Sequence, residues 1–467
     1  MIMPRILIIG GIICDKGGFR RRDLVLQGDS ISEVSPNVEP GPGDRVIDAA
    51  GKFVMPALVD PHTHLRVPGG EEAETLISGT QAAALGGYCA VLAMPNTEPA
   101  LDSPARILQL RAACSRLPVK VIAAASITKD RAGRELSPFG ALAKIGVPLV
   151  TDDGSGVQDA HLMRRALEYC SELPIVVAQH AEVSELFRKG VMNEGKVSAV
   201  LGVAGIPASS EEVMVARDIE LARSARTRIH FLHLSTGRSA DLVARAKQDG
   251  VDVSAEVTPH HLTFDDEALV NYDSTYKVNP PLRGRGDVES LWDHLGSGTF
   301  DVIGTDHAPH PQWKKQAPLE QAAFGMLGLQ HSLSAIFAGV AGAIERKITA
   351  KAVPDAVLGT IANLTGSPLG LETLSWLWLV VSMMSWKPAE MLGLGATHGG
   401  EIASGALANL VIFDPEPTWF PTLESLRSKA SNSPYLGSQL SGRIDWVFVD
   451  GCALVENGEL IEKGNWT

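Results

Sequence analysis

The sequence predicts an α/β fold, a (β/α)8 barrel of the TIM type with a small β-sandwich domain formed by both chain termini. Three observations predict it. Apolar runs of strand length recur eight times through the middle of the chain, each followed by a helix-compatible segment. Both ends of the chain alternate instead with the period of two expected of half-buried strands. Polar residues capable of chemistry collect at the C-terminal ends of the central runs.

At the N-terminus, strands are expected at 5–12, 24–27 and 45–47, separated by Gly, Pro and Asp turns, with nothing helical before Pro56. Residues 1–13 are apolar around Arg5 but run into Asp15 and Lys16 without a small-residue cleavage pattern, which reads as a strand rather than a leader. The central runs lie at 54–59, 88–93, 119–125, 147–150, 175–178, 229–232, 251–257 and 300–304. Near-continuous apolar strands are what a parallel sheet buried on both faces requires. A doubly wound open sheet gives the same local signals. The barrel is favoured because His62, His64, Asn96, Asp153, His180, His233, His260, His261 and Asp306 all fall at or just after a strand end, the rim where barrel enzymes keep their chemistry. Residues 408–413 and 445–449 return to β-rich patterning, with Asp450-Gly451 and Asn457-Gly458 as hairpin turns. The expected organisation is a barrel over 56–395, with 1–55 and 396–467 forming the two parts of the β domain. The apolar run 374–386 falls short of the ~20 residues that span a bilayer, so a buried helix is expected there.

A chain of 467 residues holds a barrel of about 250 residues with room for a second module. Hydrophobic residues at 45% and charged residues at 20% match ordinary globular composition and exclude general disorder. A net charge of -13 without a basic stripe argues against a nucleic-acid binder. It does not exclude an acidic substrate, because local cations set the potential in a cleft. The five cysteines are scattered with no Cys-x-x-Cys pair, which suits a reduced, cytoplasmic protein outside the membrane.

His62 and His64, two apart on an extended strand, project to one face and can share an ion. His180 and His233 each follow an apolar run, and Asp306 closes another. Any one of these could simply fill a strand end. Together they present imidazole nitrogens and a carboxylate at one rim, the donors zinc accepts, and a zinc site with an open position generates hydroxide near neutral pH.

Six motifs occur in order: HTHLR at 62–66, AMPNT at 93–97, TDDG at 151–154, VTPHHL at 257–262, NPPLR at 279–283 and TDHAPH at 305–310. Together they resemble class I dihydroorotase, a cyclic amidohydrolase, over nearly the whole chain. The resemblance implies zinc held by His62, His64, Asp153, His180, His233 and Asp306, as one or two ions. A binuclear site would be bridged by Asp153, since TDDG offers no lysine for carboxylation. Asp152 is the alternative, disfavoured because adjacent residues of an extended segment point opposite ways. The resemblance also implies substrate contacts from His64, Arg66, Asn96, Asn279 and His310 and from the backbone near Phe324 and Gly325. Arg66 suits a carboxylate physically, since its planar guanidinium offers two parallel donors. The implied reaction is reversible hydrolysis of (S)-dihydroorotate to N-carbamoyl-L-aspartate in de novo pyrimidine (UMP) biosynthesis, with Asp306 as the catalytic proton shuttle. Implied assemblies are a homodimer and a complex with aspartate carbamoyltransferase. His260, His261 and His307 are expected to orient the ligands or pack.

Two departures stand out. Val67 takes a place where the family usually carries an acid, and residues 343–371 look like an insertion of about two dozen residues that forms a surface excursion or an interface. Two other readings compete: a cyclic amidohydrolase acting on neutral rings (hydantoinase, dihydropyrimidinase or allantoinase), and a non-catalytic scaffold for aspartate carbamoyltransferase.

Overall fold

The computed structural model describes residues 5–461, so the start of the apolar N-terminal stretch (1–4) and the end of the expected C-terminal β part (462–467) lie outside the described residues. Among the described residues, eight parallel strands form the barrel: Leu58–Thr63, Tyr88–Ala93, Lys120–Ala123, Leu149–Thr151, Val176–Gln179, Ile229–Phe231, Val253–Val257 and Val302–Ile303. Two short bridges complete the circle. Ala125 pairs with Val150 between the third and fourth strands, and Thr63 with His307 between the first and eighth. The first–eighth seam is reinforced inside the barrel by buried Asp60, which accepts from the Thr305 amide at 3.1 Å and the His62 amide at 3.0 Å.

The surrounding helices follow from sequence in the usual way. Ala160–Cys170 starts where Asp159 accepts from the His161 and Leu162 amides at 2.8 and 3.0 Å, and buries Met163, Ala166, Leu167 and Cys170, one face at i, i+3, i+4, i+7 spacing. Gly237–Gln248 is capped in the same manner by Thr236.

Two sheets from the chain ends pack on each other as a β-sandwich. One contains Ile6–Ile9, Asp23–Gln27, Ser30–Ser35 and Arg45–Asp48. The other contains Ile12–Asp15, Gly18–Arg21, Phe53–Pro56, Leu410–Trp419, Leu440–Val449, Cys452–Glu456 and Glu459–Leu460. Ile8, Ile13, Leu24, Leu26, Val54, Leu410, Ile412 and Phe448 fill the space between them. The turns at Asp450-Gly451 and Asn457-Gly458 have positive φ at both residues, as two-residue hairpins of matching twist require.

Two expected strands are corrected. The stretch 5–12 is interrupted at Gly10 (φ 75°), so that Ile6–Ile9 and Ile12–Asp15 enter opposite sheets. The run 54–59 is also two strands: Phe53–Pro56 belongs to the sandwich and Leu58–Thr63 opens the barrel. Both flanks of Pro56 are fully buried, so the sequence is apolar throughout and carries no periodicity to mark the change of sheet.

The run 374–386 spans helix Leu371–Met384, buried from Trp376 to Met384, and the start of the next helix. Among the described residues no helix is long and apolar enough to cross a membrane. The segment 343–371 packs within the chain: its helix Asp355–Asn363 lies on strand Gly18–Arg21, where Thr360 Oγ1 accepts from the Phe19 amide at 3.0 Å and Arg21 donates to the Gly366 carbonyl at 2.5 Å. It joins the sandwich strand Gly18–Arg21 to helix Leu371–Met384.

Trp376 anchors this side by packing edge-on to Trp292 at 5.3 Å between ring centroids. Trp376→Ala should cost about 3–5 kcal/mol, seen as a lower urea midpoint with an unchanged slope. A loss within about 1 kcal/mol would show that the helix does not stabilise the barrel.

Candidate metal centre and substrate pocket

Each candidate ligand sits where a parallel strand stops and its backbone is free to turn. His62 is the fifth residue of Leu58–Thr63, and His64 follows on the same face. His180 directly follows Val176–Gln179, while Asp153, His233 and Asp306 stand two or three residues past their strands. Arg66, His233 and Asp306 have φ of 61°, 32° and 46°, a left-handed conformation that side-chain-bearing residues rarely adopt. Such positions cost on the order of 1–3 kcal/mol each and persist where surrounding contacts impose them.

Asp153 joins the cluster. Its Oδ2 lies 3.7 Å from His62 Nε2 and 3.4 Å from His64 Nε2, while its Oδ1 lies 3.3 Å from His233 Nε2 and 3.5 Å from His180 Nδ1. The donors thus form two groups that could each hold an ion, His62–His64–Asp153 and Asp153–His180–His233, with the carboxylate common to both. Asp306 Oδ1 approaches the first group at 2.9 Å from His64 Nε2 and 3.5 Å from His62 Nε2. Asp152 turns away and accepts from the Thr128 amide and hydroxyl.

The electrostatics fit a cation. Burial raises a carboxylate, yet His62, His180 and His233 hold Asp153 well below the usual range. Burial lowers an imidazole, yet Glu256, Asp153 and Asp306 lift His62 well above its ordinary value, and Asp153 and Glu182 lift His180 to about 9. Buried carboxylates of this number need compensating positive charge. His62 Nε2 is buried with no hydrogen-bond partner and faces the two aspartates, as a ligand atom should.

The sequence reading missed Glu256. It lies inside the barrel, where Oε1 accepts from His62 Nδ1 at 2.8 Å and from the His233 amide at 3.1 Å. Burial pushes its carboxyl up, but the neighbouring His62 prevails and holds it at about 2. Glu256 fixes the His62 proton on Nδ1 and leaves Nε2 to a metal, the arrangement that orients metal-bound histidines generally. The run 251–257 also carries Asp252 and Ser254, so Glu256 reads there as one more polar residue of an alternating strand. Gly304 is its counterpart: a Cβ there would lie 2.4 Å from the Glu256 carboxyl.

Over the cluster lies a cavity of about 200 Å³ lined by every candidate site residue except His62. Arg66, half-buried in its wall, donates to the Pro309 carbonyl at 3.1 Å and is pushed down to about 10 by burial. Among the described residues no carboxylate lies within the 4.0 Å of an ion pair to it. Asn96 Oδ1 accepts from His64 Nδ1 at 2.8 Å, so this expected substrate contact also orients a ligand. Asn279 donates to Glu182 at 3.0 Å and leaves its own Oδ1 buried and unpartnered. Burial and the adjacent Arg66 depress His310 to about 2, and its Nε2–H donates to the Phe324 carbonyl at 2.6 Å.

The remaining histidines stand apart from the two donor groups. His261 links Thr258 to the Pro280 carbonyl at 2.7 and 3.0 Å, and His307 donates to Glu74 at 3.2 Å. His260 Nε2 is buried without a partner. Val67 lines a surface groove with Thr75, Ile77 and Leu117 and leaves the cavity untouched.

A parallel barrel with paired histidines and a shared aspartate at its C-terminal rim defines a metal-dependent hydrolase of the amidohydrolase type. Comparison narrows the class. Residues 51–239 match the "Dihydro-orotase-like" family model. The dihydroorotase of Caldanaerobacter subterraneus is 39% identical over 461 residues, covering 98% of this chain and 99% of that one. The dihydroorotase of Streptomyces coelicolor is 39% identical over 466 residues, covering 98% and 100%. Among solved structures, an L-hydantoinase (dihydropyrimidinase) from Arthrobacter aurescens superposes with a TM-score of 0.81 at 21% identity over 99% of both chains. The chain therefore belongs to the dihydroorotase-like family of cyclic amidohydrolases.

Gly304→Ala should drive Glu256 off His62 and cost metal. The purified variant is expected to retain at least about tenfold less metal after dialysis against a chelator, the size of effect seen when such orienting partners are lost. Native retention would show that Glu256 does not orient His62.

Proposed function

We propose that this chain is a dihydroorotase, hydrolysing the ring amide of (S)-dihydroorotate to N-carbamoyl-L-aspartate and closing the ring in reverse. The observation that carries this reading is Arg66, a cation in the wall of a small cavity with no carboxylate of its own. A carboxylated ring would supply the missing anion, with two oxygens matched to the guanidinium fork. A neutral hydantoin or dihydropyrimidine would offer the guanidinium no carboxylate to pair with. The relatives at 39% identity bear the name dihydroorotase, whereas the hydantoinase likeness at 21% concerns the fold.

We assign His62, His64, Asp153 and Asp306 to one zinc ion and Asp153, His180 and His233 to a second; zinc is preferred for this nitrogen and oxygen donor set. When bound, zinc supplies a water ionised near neutral pH and polarises the carbonyl under attack. Arg66 and the Asn96 amide hold the substrate carboxylate, and Asn279 and His310 engage the ring. With its depressed pKa, Asp306 rests as a carboxylate. It takes the proton of the attacking water and passes it to the ring nitrogen as the C–N bond breaks; ring closure reverses each transfer. Placement in the cytoplasm is supported by five cysteines that are all free. The family resemblance supports a homodimer and association with aspartate carbamoyltransferase, both measurable by light scattering of the mixed proteins.

The test is hydrolysis of L-dihydroorotate beside hydantoin and dihydrouracil with metal content recorded. Activity confined to dihydroorotate is expected; turnover of neutral rings would overturn the role of Arg66, and inactivity at full metal occupancy would favour a scaffold. Asp306→Asn should keep part of the metal and lower kcat by about 10²–10⁴, the worth of a positioned acid–base group. Arg66→Gln should raise KM for dihydroorotate by roughly 10–100-fold, the loss of a charge-assisted bond. An unchanged KM would remove Arg66 from the binding site.

A further inference from the structure

Two lysines beside the cavity are buried in a way that the chemistry above does not use. Lys277 is 2% exposed and Lys315 is 5% exposed. Lysines are almost never so buried unless paired, yet among the described residues neither has a carboxylate within ion-pair distance, 4.0 Å. Their ammonium groups are spent on main-chain carbonyls. Lys315 Nζ donates to Ala323 and Gly325 at 2.9 Å each and to Lys277 at 3.2 Å, a full set for three N–H groups. Lys277 Nζ donates to Leu319 at 2.6 Å and Glu320 at 3.3 Å and sits 4.3 Å over the Phe324 ring.

These carbonyls belong mostly to one segment, 319–325, which leads Phe324 and Gly325 into the cavity wall. The Gly325 amide returns a bond to the Lys277 carbonyl at 2.9 Å. Lys277 in turn precedes Val278 and Asn279, which line the same cavity. The segment thus turns several main-chain carbonyls toward two buried ammonium groups, with Asn432 Nδ2 adding a bond to the Gly325 carbonyl at 3.1 Å.

We propose that Lys277 and Lys315 are positioning residues that latch the 319–325 segment as a roof over the substrate ring. This rests on the reading that the ring lies beneath Phe324 and Gly325. A neutral amine has two N–H groups for three carbonyls, so the latch weakens as Lys315 loses its proton. Burial first, then the neighbouring Lys277 charge, push Lys315 down to about 7 against the pull of Asp273; burial pushes Lys277 to about 8 against Glu320. The other titratable group facing Lys315 is His310, which is held neutral. Loss of the proton on raising the pH from about 6 to 9 is therefore expected to raise KM.

The test uses the metal-loaded full chain with Lys315→Met, and Lys277→Met in case the first fails to fold. Amide hydrogen exchange across 316–326 should accelerate by about tenfold or more, the worth of one lost charged hydrogen bond. KM for dihydroorotate should rise about tenfold with kcat within about threefold. The rise of KM with pH seen in the native enzyme should be absent from Lys315→Met. Unchanged exchange would overturn the latch, and accelerated exchange with unchanged KM would overturn its bearing on substrate. The exchange measurement needs no substrate, so it decides whether the lysines hold the roof even if the native protein proves to act on another ring.

Discussion

The carboxylate of Asp153 is the hinge of the site. One oxygen serves the histidines of the first strand and the other serves those of the fifth and sixth, so opposite sides of the barrel mouth meet on a single side chain. That division works only if the strands deliver their ends to one rim at one height, which a closed parallel barrel does and an open sheet does not. The buried acids draw positive charge to this rim, and the two donor groups that share Asp153 could each hold a metal ion there.

The rest of the interior is arranged around those groups. Glu256 fixes the tautomer of His62, Asn96 fixes that of His64, and Gly304 leaves room for Glu256. Asp60 ties the first strand to the eighth beside the candidate ligands His62 and His64. The unusual backbone at Arg66, His233 and Asp306 aims three side chains inward where a regular strand would have turned them aside. Elsewhere, Trp376 packs its helix on Trp292, and the 355–363 helix joins that helix to strand Gly18–Arg21 of the sandwich.

Much of this was legible in the sequence because strand-end polarity and apolar runs record burial directly. His62, His64, Asp153, His180, His233 and Asp306 announced themselves as polar residues following apolar strands, and the structure brings them together. The family resemblance pointed to Asp153, alternation along an extended chain set Asp152 on the other side, and Asp152 does turn away to Thr128. Glu256 escaped notice because its environment is made by other strands; nothing local distinguishes an interior acid from one at the surface. Lys277 and Lys315 escaped for a related reason, since their acceptors are backbone atoms and leave no mark in side-chain chemistry.

The sequence by itself determined the eightfold alternation, the gathering of polar residues at the strand ends, the hairpin turns and the β character of both ends, since each follows from residue type and spacing along the chain; the candidate ligand set rested on the six ordered motifs and the family they resemble. Only the tertiary structure decided that the run at 54–59 divides between two sheets, that Asp153 is shared, that Arg66 lacks an acid partner and that the 343–371 segment folds back on the chain. Those features depend on distances between residues far apart in sequence, and periodicity carries no information about which distant group will compensate a buried charge.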